Sequence, residues 1–124
     1  MEYSIIVEQT FEKEVKRLYK KYPSLKQDIY TLAKELVKDP LIGADLGGGL
    51  RKIRMPIGSK GKGKSGGARV ISFNIKIDNE KGVVHLIYLY DKSERESISK
   101  KEIEELLNKT SVKQNIRSYR GFRK

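Results

Sequence analysis

Apolar residues recur along this chain in seven blocks, and the spacing inside each block predicts its element. Residues 3–8 (YSIIVE) are apolar and β-branched, which predicts a short strand. Phe11, Val15, Leu18 and Tyr22 then recur at helical spacing, so a helix over 11–22 follows, with Thr10 as its cap. Pro23 interrupts it. Leu25, Ile29, Leu32, Ala33 and Leu36 form the apolar stripe of a second helix, opened by a Ser24/Gln27 capping box and closed by Asp39-Pro40. Two helices joined by so short a turn predict an αα-hairpin.

Residues 41–49 (LIGADLGGG) read as a loop. The period then changes to two. In LRKIRM, alternation puts Lys52 and Arg54 on one face and Ile53 and Met55 on the other. ARVISFNIKI alternates again, with Ile71, Phe73, Ile75 and Ile77 on one face. DNEKG (78–82) is turn chemistry, and VVHLIYLY (83–90) is the most apolar strand, which favours an interior place in the sheet. Ser99 with Glu102 makes a capping box for a last helix carrying Ile103, Leu106 and Leu107 inward. The order β-α-α-β-β-β-α predicts a small α+β domain over 1–108. Its three consecutive strands form an antiparallel meander, the first strand joins the edge, and the helical hairpin covers one face. Residues 109–124 read as a basic tail with too little apolar periodicity to fold alone.

Charge sharpens the picture. The formal net charge is +11 over 124 residues, and its placement is uneven. The segment 51–69 carries seven Lys/Arg and no acid, and the tail carries six and no acid, leaving the remainder near neutrality. Two basic segments on a neutral body point to a localised anion site. There are no cysteines, so disulfides and thiolate metal sites are excluded, and no apolar run approaches the ~20 residues of a membrane span. The N-terminus shows no secretory signal, and the cytoplasm is the default compartment.

The organising stretch is 50–73, LRKIRMPIGSKGKGKSGGARVISF: strand, glycine–lysine loop, strand. Its residues 58–65 match the phosphate-loop pattern GxxxxGK[ST] letter for letter, and VVHLIYLYD ends in Asp91, like a magnesium-binding strand. A phosphate loop of that kind must open a helix, whereas here Gly66-Gly67 and a period-2 strand follow, so an NTPase is not expected. His85, the sole histidine, lies in the apolar strand on the parity of Val83, Ile87 and Leu89 and reads as a buried or sheet-facing structural residue. Of the seven tyrosines, Tyr90 at a strand end is the one left open as a stacking partner for a base. Lys52, Arg54 and Arg69 stand out, because folding does not require three like charges on adjoining strands. Clustered cations favour the neutral form of a lysine and so suit it to proton transfer. They also stabilise the negative charge that develops when a phosphodiester is attacked.

At these residues the chain resembles a known family. DP-x-x-G (Asp39, Pro40, Gly43), GLRKIR (49–54), GKGKSGGARVI (61–71) and YLYDKSE (88–94) are similar to the HigB-type toxins of the RelE/ParE superfamily, over about residues 3–107. The resemblance implies the toxin of a bacterial type II toxin–antitoxin pair. Its implied activity is cleavage of messenger RNA on the ribosome, without metal or other cofactor, by attack of the RNA's own 2′-hydroxyl. It implies an antitoxin as protein partner. By matching positions it implies Lys52 for proton transfer, Arg54 for phosphate binding, Arg69 at the scissile phosphate and Lys92 after the last strand. Arg51, Lys60, Lys62, Lys64 and Arg95 are further candidates for RNA phosphate. Family members place an arginine and a tyrosine beyond that lysine, where this chain has Ser93 and Ser99, with Arg95 the nearest alternative. Two other functions fit the same charge: a ParE-like inhibitor of DNA gyrase, and a non-catalytic RNA- or DNA-binding module.

Overall fold

The computed structural model describes residues 2–61 and 63–112. Lys62 and the tail from Lys113 lie outside the described residues. The order is β1 (Glu2–Val7), α1 (Gln9–Tyr19), α2 (Leu25–Lys38), β2 (Ala44–Gly47), β3 (Leu50–Met55), a single helical turn α3 (Gly63–Gly66), β4 (Ala68–Lys76), β5 (Lys81–Asp91) and α4 (Lys100–Asn108). A 3-10 turn, Gly58–Lys60, precedes α3.

The α+β class and the helical hairpin are as expected, and two details of the sheet differ. The sheet has five strands in the order β1-β5-β4-β3-β2, and it is mixed rather than wholly antiparallel, because β1 runs parallel to β5. The helical hairpin carries the chain from β1 to the far edge, and four strands later β5 returns in β1's direction. The stretch read as a loop contains β2, paired with β3. Its glycines hid it: Gly47, Gly48 and Gly49 all have positive φ, which glycine adopts without strain, and they form the tight turn between the two strands.

Both sheet faces are covered. Phe11, Leu18, Leu25, Leu32 and Leu36 of the hairpin pack on Ile53, Met55, Val70, Val84, Leu86 and Leu89. On the other face Ile103 and Val112 pack on Leu50, Ile71, Phe73, Ile75 and Ile87. Each such fully buried side chain contributes roughly 1.5–3 kcal/mol. Val112 is fully buried, so the packed chain runs beyond residue 108, the boundary read from the sequence.

The caps divide. Ser99 and Glu102 form the expected capping box. Thr10 instead lies inside α1, whose N-cap is Glu8. Ser24 is the N-cap of α2, but its hydroxyl donates to Asp28 (2.8 Å) and not to a box with Gln27. Asp78 holds its turn as expected, accepting from Glu80 N (2.7 Å) and Lys81 N (2.8 Å). His85 is fully buried, with Nδ1 2.7 Å from Glu8 Oε2. Glu8 also accepts from Ser111 N (3.0 Å) and Ser111 Oγ (2.7 Å), which ties the end of the described chain to the junction of β1 and α1. Burial pushes the Glu8 carboxyl up, but the hydrogen bonds from Ser111 and the His85 contact outweigh it and hold the group below the usual range.

One irregularity positions the site. Ile71 pairs with Tyr88 but Ser72 pairs with Leu86, so Ile87 is an extra residue in β5. Ile87 and Tyr88 therefore face α4 in succession, while Leu86 and Leu89 both face the hairpin. The bulged residue's carbonyl accepts a hydrogen bond from Thr10 Oγ1. Beyond the bulge the parity of β5 is inverted: Tyr88 leaves the face of Leu86, and Leu89 leaves that of Ile87.

Candidate functional site

Residues Lys52 and Arg54 alternate with core residues Ile53 and Met55 on β3, so their side chains leave on the face away from the helical hairpin. Register then places Arg54 opposite Arg69, and Arg69 opposite Tyr90, in one line across three strands. A neighbouring line runs Lys52, Ile71, Tyr88. Facing residues in antiparallel ladders lie ~4.5–5.5 Å apart at Cα, so the row is compact. Arg54 is exposed, Lys52 half-buried and Arg69 buried, with Arg69 Nη1 donating to the Ala68 carbonyl at 3.2 Å.

Because of the bulge, Tyr88 and Tyr90 join this face. Their ring centroids are 6.3 Å apart. Tyr90 is buried, which removes it as a candidate stacking partner for a base; half-buried Tyr88 is the accessible ring. The Tyr90 hydroxyl has no hydrogen-bond partner among the described residues. Burial pushes it above the usual phenol range, partly offset by Arg69 and Arg95, so it stays protonated at neutral pH. Arg95 lies over the Tyr90 ring at 5.6 Å and is held by Glu102 Oε2 (2.7 Å) and the Ser97 carbonyl (3.0 Å). Arg95 and Tyr88 are thus the arginine and tyrosine that stand beside Tyr90 at this end of β5. Ser93 and Ser99 are committed elsewhere: Ser93 to Asp91, Ser99 to capping α4.

The remaining candidates lie apart from the row. Arg51, on the opposite parity, donates to the carbonyls of Ile42 (3.2 Å) and Gly43 (2.7 Å) and fastens the segment before β2. Lys92 Nζ donates to the Glu96 carbonyl (2.8 Å). Lys60 is directed to the hairpin side, where Nζ donates to Asp91 Oδ1 (2.7 Å) and Ser93 Oγ (3.1 Å). Lys62 lies outside the described residues, and of Lys64 only the backbone position, in α3, is described.

The Asp91 knot was not read from the sequence, where Asp91 drew notice only as part of a phosphate-loop resemblance. Its carboxylate is fully buried and accepts from Lys60, Tyr22 OH (2.6 Å), Ser93 N (2.9 Å) and Ser93 Oγ (2.7 Å). Burial pushes its pKa up, but these donors overcome that and hold it far below the ordinary carboxylate range. The glycine–lysine loop is consequently anchored. Ser24 and Asp28 accept from Ser59 N (2.8 Å) and Gly58 N (3.1 Å), Lys60 grips Asp91, and the Gly67 carbonyl accepts from Lys92 N (3.1 Å). At Gly67 an added Cβ would sit 2.3 Å from the Met55 carbonyl, so only glycine fits. The helix this loop opens is a single turn of four residues, and Asp91 is occupied by Lys60.

Fold and site together define a small α+β domain that presents a cationic row, edged by two tyrosines, on the sheet face it shares with α4. The sequence model for the RelE toxin of the RelE/RelB toxin–antitoxin system matches residues 5–119, and the chain belongs to that toxin family. The match extends past residue 108 into the basic segment. No helix among the described residues is long and apolar enough to cross a membrane.

Proposed function

We propose that this toxin inhibits translation as a ribosome-dependent messenger RNA endonuclease working in the cytoplasm, without metal. The observation that carries the reading is the line Arg54–Arg69–Tyr90 with Lys52 beside it, a cationic row whose assembly serves no packing need. Attack by a ribose 2′-oxygen on the adjacent phosphorus adds negative charge to the phosphoryl oxygens. It leaves a 2′,3′-cyclic phosphate and a 5′-hydroxyl. Arg69, fixed within the sheet, and Arg54, exposed at its edge, stabilise that charge. Lys52 is the group placed to move the 2′-hydroxyl proton. Tyr90 is a positioning residue: its ring supports the Arg95 guanidinium and backs Arg69. An antitoxin neutralises the protein by covering this face with acidic or amphipathic structure.

The test is inducible expression in bacteria with mapping of message 5′ ends, for the wild type and for Lys52→Ala, Arg54→Ala and Arg69→Ala. Loss of one preorganised charge-stabilising group costs about 10²–10³ in rate. Wild type should therefore arrest growth and produce new in-frame ends, and Arg69→Ala should do neither at equal expression and unchanged melting temperature. Arrest with intact messages and blocked supercoiling would instead assign gyrase inhibition. Binding without arrest or cuts would leave a nucleic-acid-binding module.

A further inference from the structure

Between β5 and α4 lies a cavity of about 130 Å³, and its lining has the chemistry of a base-recognition pocket. Tyr88 and Arg95 wall it on the sheet side, Ile98 and Leu106 give it apolar surface, and Glu105 and Lys109 stand at its α4 edge. Arg95 is shared with the cationic row, since the same guanidinium lies over Tyr90. Tyr88 is in line with Lys52 through Ile71. A phosphate held on the row therefore leaves the adjoining nucleotide within reach of the cavity. An aromatic ring and a guanidinium in one lining suit an unstacked base.

The polar groups decide which base. Glu102 also lines the cavity, but its oxygens are taken by Arg95 (2.7 Å) and by Ser99 N (3.3 Å) and Ser99 Oγ (3.2 Å). The Glu105 side chain has no hydrogen bond or ion pair among the described residues, and Lys109, the C-cap residue of α4 four positions on, lines the same cavity. The two bring a carboxylate acceptor and an ammonium donor to one cavity. Guanine presents the complement on one edge: two adjacent N–H donors, N1–H and N2–H, beside the O6 acceptor. Adenine sets its single amino donor beside an unprotonated ring nitrogen, which a carboxylate repels. Uracil flanks its one N–H with carbonyls.

We propose that this cavity is a guanine-selective subsite for the RNA strand, with Glu105 and Lys109 as the specificity-determining residues. The proposal rests on the RNA-cleaving reading of the neighbouring row, and its test is arranged to be separable from it. Uncleavable 2′-O-methyl RNA pentamers with one central guanine, inosine or adenine would be titrated against the full chain by fluorescence anisotropy at fixed salt. One bidentate pair discriminates between bases by roughly tenfold or more. The guanine pentamer should bind about tenfold more tightly than the adenine one, with inosine, which lacks N2–H, between them. Glu105→Gln should bring the guanine/adenine ratio towards one with no change in melting temperature. Arg69→Ala should weaken all three alike. In cells, the wild type should cut beside guanine, and Glu105→Gln should cut with that preference lost. Equal affinity of the wild type for guanine and adenine pentamers, or a ratio unchanged in both Glu105→Gln and Lys109→Ala, overturns the subsite. Guanine preference without any message cleavage would retain the subsite and reject the nuclease.

Discussion

Substituting Asp91 tests how the end of β5 is held. Asp91→Asn preserves shape while removing the charge, and it leaves the Lys60 ammonium, whose side chain is only 8% exposed, without a counter-ion. Breaking one partner of a buried ion pair costs about 3–5 kcal/mol. That is a large share of the roughly 5–15 kcal/mol that stabilises a domain. At about 4 °C per kcal/mol for a chain of this size, the melting temperature should fall by roughly 12–20 °C. Lys21, 3.9 Å away and largely exposed, adds little. Lys60→Met should cost less, because Asp91 keeps its Tyr22 and Ser93 donors, and the double variant should cost less than the sum. The pH dependence has a definite sign. The folded-state pKa of Asp91 is depressed, so its stabilisation is fully present above the unfolded value of about 3.9 and is lost as pH falls through the folded value. Guanidinium unfolding at pH 7, 5 and 3 should show the gap between wild type and Asp91→Asn constant from 7 to 5 and narrower at 3. A gap under about 1 kcal/mol at pH 7, well short of the loss for a broken buried pair, or a gap unchanged at pH 3, would refute the argument.

Two further substitutions probe the same neighbourhood. Gly67→Ala forces a methyl against the Met55 carbonyl at 2.3 Å and should destabilise by more than about 2 kcal/mol, measured by the same unfolding curves; a neutral effect would mean that the loop is not anchored at that point. Tyr90→Phe removes a buried hydroxyl without a partner among the described residues, so stability should change by less than about 1 kcal/mol or rise, with growth arrest retained. Loss of arrest at unchanged stability would assign the hydroxyl itself a step in the reaction.

Period and composition alone determined the α+β class, the hairpin of α1 and α2, the Ser99/Glu102 cap, the Asp78 turn and the structural place of His85 in its strand. They also determined that Lys52 and Arg54 share a face, because strict alternation is a local property of an extended backbone. What tertiary structure decided depends on which residues meet across strands. One extra residue in β5, Ile87, transfers both tyrosines to the cationic face and turns Asp91 to the other, and no periodicity within β5 marks a bulge that only the pairing with β4 defines. Lys60 reads as one cation among several in its loop, yet an aspartate 31 residues later makes it an anchor. Arg95 and Tyr88 come together around Tyr90 only through the pairing of β5 and the turn that follows it. The row Arg54–Arg69–Tyr90 joins three strands by register, and its physical cause is cross-strand hydrogen bonding, which local spacing cannot express.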